Sequence, residues 1–120
     1  MPFVILEHFI RSSDRADHFD LMFSQPNGLL RTWSIPRRPD SAGRQEALSL
    51  DDHRLAYLVH QGPTKRGQGW VRRWTSGSFR PLVQRSDCWR MFVESPRLCG
   101  LVNLELRDPD NRWQYKFERR

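Results

Sequence analysis

The sequence lacks the features that mark several common classes of protein. It has only two cysteines, Cys88 and Cys99, and no C-x-x-C pair, which argues against a cysteine zinc site and predicts free thiols in a reducing compartment. It has no apolar run long enough to span a bilayer. The short apolar run near the start has no basic region before it, so we expect a cytoplasmic protein with no membrane partner.

The signatures of several enzyme classes are absent as well. The chain contains no G-x-S-x-G nucleophile elbow, no phosphate-binding P-loop and no dinucleotide-binding glycine fingerprint. It also has no internal repeat and no low-complexity segment. Its 120 residues are enough for one modest core, so we expect a single domain over 1–120.

Positive charge is what the sequence has in excess. Twenty Lys and Arg residues against 14 Asp and Glu give a formal net charge of +6. Such an excess suits a polyanionic partner such as nucleic acid, and an ordinary solvated basic surface is the alternative. Neighbouring arginines on a strand point to opposite faces, so a pair such as Arg72 and Arg73 can offer only one side chain to a groove.

Short apolar or alternating stretches separated by turn residues predict a mostly β fold. The predicted strands cover 3–9, 18–23, 29–35, 70–74, 98–108 and 113–119. The QPNG stretch at 25–28 is a hairpin signal, and 75–78 and 108–111 are further predicted turns. Residues 44–50 and 51–60 fit either a strand or a short helix. We therefore expect a compact antiparallel β-barrel with one or two short helices.

The stretch DHFDLMF, at 17–23, carries the first candidate site. His18 and Asp20 lie on one face of the predicted strand, with Cβ atoms roughly 6 to 7 Å apart, so both can reach one divalent ion. His8, near the end of the first predicted strand, is the candidate third ligand. Two histidines and one carboxylate suit manganese, iron or zinc. The alternative is a solvated pair with no ion.

A second candidate pair lies in DHRLAY, where His53 precedes Tyr57 by four residues. Both side chains can donate hydrogen bonds to an oxyanion. The alternative is a buried tyrosine beside a surface histidine.

The order and spacing of these motifs resemble one family, the 3′-phosphoesterase domain at the N-terminus of bacterial DNA ligase D and its small stand-alone relatives. The resemblance covers nearly the whole chain. It is carried by FVILEH, HFDLMF, LRTWSIP, DHRLAYLVHQGP, GQGWVRRWTSGSF and the final LCGLVNLELRD followed by W-x-x-x-F.

The resemblance implies a β-barrel with a polar cavity that holds Mn²⁺ or another divalent metal. It assigns the metal to His8, His18 and Asp20, and the contacts to phosphate to His53 and Tyr57 as catalytic residues. Family members act in DNA repair on DNA or RNA/DNA 3′ ends. They remove a terminal ribonucleoside and then the 3′-phosphate, leaving an end that a separate DNA ligase or polymerase can use.

The chain departs from the family where arginines grip phosphate. Met22 replaces one of them, and the other aligns with Gln45, one residue from Arg44. The segment before His18 is longer than usual and is rich in polar residues. The remaining candidates for phosphate binding are Arg44, Arg11 and Arg15.

Three functions follow from these observations. The first is a manganese-dependent phosphoesterase of nucleic-acid 3′ ends with weakened or altered activity. The second is a non-catalytic module of the same fold that binds nucleic-acid ends or a repair partner. The third is a metalloenzyme that acts on a small phosphate ester.

Overall fold

The computed structural model describes residues 1–10, 17–59, 62–63, 69–108 and 110–120. Its strands are β1 (Pro2–Ile10), β2 (His18–Ser24), β3 (Leu29–Ile35), β4 (Arg44–Arg54), β5 (Gly62–Pro63), β6 (Gly69–Arg85), β7 (Cys88–Glu94), β8 (Cys99–Asp108) and β9 (Arg112–Arg119). A 3₁₀ turn, Leu55–Leu58, follows β4. In the described ranges, no helix has the length and apolar character needed to cross a membrane.

The sheet closes on itself. All neighbouring strands are antiparallel in the order β1-β2-β3-β4-β9-β8-β7-β6, and β6 also pairs with β1. β5 adds a two-residue pairing to β6 outside this ring. The result is an eight-stranded barrel whose closure leaves no long unpaired edge. The predicted antiparallel β-barrel is therefore confirmed, and the helical part of the described chain is a single 3₁₀ turn.

Large aromatic side chains fill the barrel interior. Trp33 is completely buried and contacts the rings of Trp89 and Trp113 edge-on, each with centroids 5.3 Å away. From β2, Phe19, Leu21 and Phe23 point into the same core. Alternation along a strand sends every second side chain to each face. His18, Asp20 and Met22 therefore point to the outside of the barrel.

The predicted turn at 75–78 is wrong, because β6 runs through it without a break. The first part of this strand pairs with β1 and the last part with β7, and the change of partner occurs at Ser78. A Cβ atom at Gly77 would collide with the carbonyl oxygen of Glu94. Glycine is thus present for the close approach of two strands and not for a turn.

The two other predicted turns are confirmed. In the first, the Gly28 amide donates to the Gln25 carbonyl at 3.0 Å, and Gly28 has a φ of +83°. This is a type I turn followed by a glycine bulge. In the second, the Asp110 amide donates to Asp108 Oδ1 at 2.9 Å, and Asn111 has a φ of +64°. Cys88 and Cys99, on neighbouring strands, are free thiols as expected.

Candidate metal centre

The β1–β2 pairing brings the three predicted ligands together. His8 lies directly opposite His18, and Leu6 lies opposite Asp20. Cross-strand partners in an antiparallel pair point to the same face. One ligand atom from each of His8, His18 and Asp20 lies within 4.8 Å of the other two. The three side chains, here called the ligand trio, form a group that could hold a metal ion.

Asp20 bridges the two imidazoles of the trio. Its Oδ1 lies 3.2 Å from His18 Nε2, and its Oδ2 lies 3.6 Å from His8 Nδ1. The two rings are tilted by 57° with centroids 4.8 Å apart. His18 and Asp20 are each only 6% exposed, and His8 is half-buried. The trio is therefore a compact polar cluster in a largely dry place.

Opposing influences act on the Asp20 carboxyl. Burial raises its pKa, but the interactions with His18 and then His8 lower it further than burial raises it, and the resulting pKa is about 2. The group is consequently a carboxylate throughout the physiological pH range. An ionised carboxylate is the form that binds a metal cation.

Unsatisfied atoms in the trio fit a cation. His8 Nε2 and Asp20 Oδ1 are buried without a hydrogen bond, although Asp20 Oδ1 lies 3.2 Å from His18 Nε2. A buried polar atom without a partner typically costs about 1 to 3 kcal/mol, so such atoms usually have a reason. Imidazole nitrogen and carboxylate oxygen suit Mn²⁺, Fe²⁺ and Zn²⁺. The donor set therefore fits a divalent metal.

An apolar cluster adjoins the trio on the outer face of the barrel. Its buried members are Val4, Leu6, Met22, Leu30 and Val71, and Tyr57 and Leu58 pack against it. Met22 is 1% exposed. The residue that replaces a family arginine is thus part of this outer cluster and is covered by the 3₁₀ turn.

The second predicted pair lies on the far side of the outer cluster. The rings of His53 and Tyr57 meet edge-on with centroids 5.0 Å apart. His53 lies opposite Leu30 on the neighbouring strand, and Tyr57 packs on the cluster that contains Met22. The pair and the trio therefore share one face of the sheet, with apolar side chains between them.

A cavity of about 230 Å³ opens on the other side of the trio. Its described lining consists of Asp17, His18, Ser34, Ile35, Pro36, Glu46 and Leu48. Strand pairing explains its position, because Ser34 lies opposite Asp20 and Leu48 lies opposite Ser34. Ser34, Glu46 and Leu48 are not among the site residues that the sequence predicts. The spacing of the β2–β3 hairpin was the available signal for Ser34.

The structure separates one of the three arginine candidates, Arg44, from the trio. Arg44 lies opposite Lys116 and lines a different cavity, together with Arg107 and Gln114. Arg11 and Arg15 lie outside the described residues.

Gln45 has a structural role of its own. Its side chain is buried, accepts a hydrogen bond from the Arg37 amide at 2.9 Å and donates one to the Arg38 carbonyl at 3.3 Å. These bonds hold the loop after β3 against β4. Both polar ends of the Gln45 side chain, which aligns with the second family arginine, are therefore bonded to the backbone.

No protein-family model and no curated protein sequence matches the chain. The site and the motifs of the chain are therefore the observations that bear on its function.

Proposed function

We propose that the protein is a cytoplasmic, manganese-dependent phosphoesterase that acts on the 3′ ends of DNA or RNA. In DNA repair it would remove a 3′-terminal ribonucleotide or a 3′-phosphate and leave a hydroxyl for a separate ligase or polymerase. The observation that carries the proposal is the convergence of His8, His18 and Asp20, in a group where His8 Nε2 and Asp20 Oδ1 are buried without a hydrogen bond. The net charge of +6 and the resemblance to the ligase D phosphoesterase domain support a nucleic-acid substrate.

The trio would hold the ion through two imidazoles and one carboxylate. A bound divalent ion would supply Lewis-acid stabilisation of negative charge on a phosphoryl group. The carboxylate of Asp20 is ionised and nearly buried. Leu6, opposite Asp20 on β1, and Met22, two residues further along β2, are both buried apolar residues, and charge interactions are stronger in such surroundings.

His53 is oriented by its own backbone neighbourhood. Its Nδ1 lies 2.9 Å from the Asp51 carbonyl oxygen, which can only accept a hydrogen bond. Nδ1 therefore carries a proton, and Nε2 is a lone-pair acceptor in the neutral ring and a donor in the imidazolium. In the proposed reaction Nε2 of the imidazolium donates a hydrogen bond to a phosphoryl oxygen. The Tyr57 hydroxyl donates to a phosphoryl oxygen as negative charge develops there.

A second candidate function, the non-catalytic binding module, is favoured by the state of the two family arginine positions. Met22 is buried in the outer cluster, and Gln45 is bonded to the backbone. Neither can grip phosphate with a charge-assisted hydrogen bond. A module of this kind would bind nucleic-acid ends in a salt-dependent manner after the metal is removed.

The test is the processing of a labelled primer-template that ends in either a ribonucleotide or a 3′-phosphate, with and without Mn²⁺. We expect cleavage that requires the metal and falls to background in the His18→Ala variant. Asp87→Asn is a suitable control, because it alters an exposed carboxylate in the turn between β6 and β7.

Metal binding is measured in parallel by a thermal shift with Mn²⁺. Wild-type protein and Asp87→Asn should be stabilised, and His18→Ala should not. Cleavage that is unchanged in His18→Ala would refute the proposed site. A folded, metal-binding protein that cleaves neither end but binds both in the presence of a chelator would support the binding module.

A further inference from the structure

The cavity beside the trio, lined in part by His18, has no role in the proposed reaction as described so far. We propose that this cavity is a specificity subsite for the uncharged organic group of the phosphate ester, next to a phosphoryl group held at the trio. This inference rests on the proposed function and names the part of the substrate that the site selects.

Position is the first argument. His18 contributes to both the trio and the cavity lining, and Ser34 stands between Asp20 and Leu48 in the strand register. A group in the cavity would therefore lie directly beside the atoms that hold the cation. The two halves of one ester would occupy two adjoining compartments.

Size and polarity are the second argument. The volume is about 230 Å³. A dry cavity of about 150 Å³ can hold benzene, so this one has room for a single sugar or aromatic ring. Its lining includes the apolar side chains of Ile35, Pro36 and Leu48, and Leu48 is 44% exposed at the mouth. Such a surface favours a compact ring over water.

Charge is the third argument. The described lining contains two carboxylates, Asp17 and Glu46, and no lysine or arginine. Glu46 lies 4.0 Å from Arg112, which does not line this cavity. A second phosphate on the organic side would meet the carboxylate of Glu46, whereas a sugar hydroxyl would find an acceptor there. The subsite therefore fits an uncharged terminal group, such as a 3′-terminal ribonucleoside, and the phosphates of the remaining chain would lie outside it.

The experiment measures equilibrium binding of phosphonates, whose C–P bond is not an ester, to the manganese-loaded full chain by calorimetry. Phenylphosphonate should bind at least about tenfold more tightly than methylphosphonate, because the ring leaves water. In Leu48→Asn this preference should fall at least about threefold. Leu106→Asn, at a similarly exposed leucine outside the lining, should keep the wild-type preference.

The effect of charge in the cavity is tested with 1,4-phenylenebisphosphonate, which carries a second phosphonate on the same ring. It should bind more weakly than phenylphosphonate to the wild type, and Glu46→Gln should narrow the difference. Glu118→Gln is the matched control, since Glu118 is also exposed and also ion-paired, with Lys116 at 3.3 Å.

Equal binding of the phenyl and methyl compounds would overturn the subsite and leave the proposed function standing. The subsite is also overturned if Leu48→Asn and Leu106→Asn change the preference for the phenyl compound equally. It is overturned as well if Glu46→Gln narrows the difference between the two phenyl compounds no more than Glu118→Gln does. If no phosphonate binds to the metal-loaded protein, the subsite is refuted, and the primer-template assay decides the proposed phosphoesterase separately.

Discussion

The substitution of Met22 by arginine distinguishes two explanations of why methionine stands where the ligase D phosphoesterase domains, which the sequence resembles, have arginine. If Met22 lined an open pocket, arginine would restore a grip on phosphate and raise activity. In the structure Met22 is 1% exposed and lies among Val4, Leu6 and Leu30. We therefore expect Met22→Arg to destabilise the fold.

The magnitude follows from the surroundings. Moving a cation out of water costs several kcal/mol in real proteins, and the lost burial of the methionine adds about 1.5 to 3 kcal/mol. The carboxylate of Asp20, two residues away on the same face, would attract the introduced cation and offset part of this cost. We expect a net loss of about 3 kcal/mol or more. For a chain of 120 residues, this corresponds to a fall in Tm of about 12 °C.

The assay is urea denaturation at 25 °C, followed by circular dichroism. Met22→Leu is the matched control, because it keeps the volume and should cost less than about 1.5 kcal/mol. A Met22→Arg protein within about 1 kcal/mol of the wild type would refute the packed outer cluster. Higher activity in the same variant would show that position 22 belongs to the substrate pocket.

Three further substitutions test other parts of the fold. The folded pKa of Asp20, about 2, lies below the ordinary value. The carboxylate of Asp20 should contribute about 2 kcal/mol to the free energy of unfolding. This contribution should be complete above about pH 5 and be lost as the pH falls toward 2. Urea titrations at several pH values give the free energy of unfolding of the wild type and of Asp20→Asn. If the difference between the two did not change with pH, this prediction would be contradicted. Gly77→Ala should lower the free energy of unfolding by at least about 2 kcal/mol, because the new Cβ meets the Glu94 backbone. Gly43 lies in open space with a φ of +81°, so Gly43→Ala should lower it by only about 1 kcal/mol. Equal urea midpoints for the two variants would contradict the close strand approach. Tyr115→Phe removes the hydrogen bond that its buried hydroxyl donates to the Pro39 carbonyl at 2.8 Å, so the free energy of unfolding should fall by about 1 to 2 kcal/mol. An unchanged value would show that this bond contributes nothing.

The face of a strand can be predicted from the sequence because the side-chain period is two. That rule placed His18 and Asp20 together, and the structure brings His8 beside them. The barrel was predictable for a related reason, because many short alternating strands with glycine and proline turns have few other ways to bury one face each.

Register is harder to predict, and the β2–β3 hairpin shows why. A regular four-residue loop over 25–28 would pair Ser24 with Leu29. The bulge at Gly28 shifts the pairing by one residue, so Ser24 lies opposite Leu30. One residue of shift exchanges the two faces of a strand. Without the bulge, Ser34 would not stand beside Asp20, and the cavity could not be placed.

Glycine is ambiguous for a similar reason. At Gly28 it supplies a positive φ in a turn, whereas at Gly77 it makes room for the backbone of another strand. The local sequence TSGS is typical of the first use. The second use depends on which strand packs against the glycine. This is a tertiary contact, which a local sequence pattern does not predict.

The outer cluster links the stability of this barrel to the geometry of its candidate site. A closed barrel buries its inner face without help, but apolar side chains on the outer face need a separate cover. Here the 3₁₀ turn Leu55–Leu58 supplies it through Tyr57 and Leu58, and the same turn brings Tyr57 against His53. Val4 and Leu30 have no part in the proposed reaction. Because Tyr57 packs on the cluster that they help to form, their truncation should shift Tyr57 and so lower the proposed phosphoesterase activity.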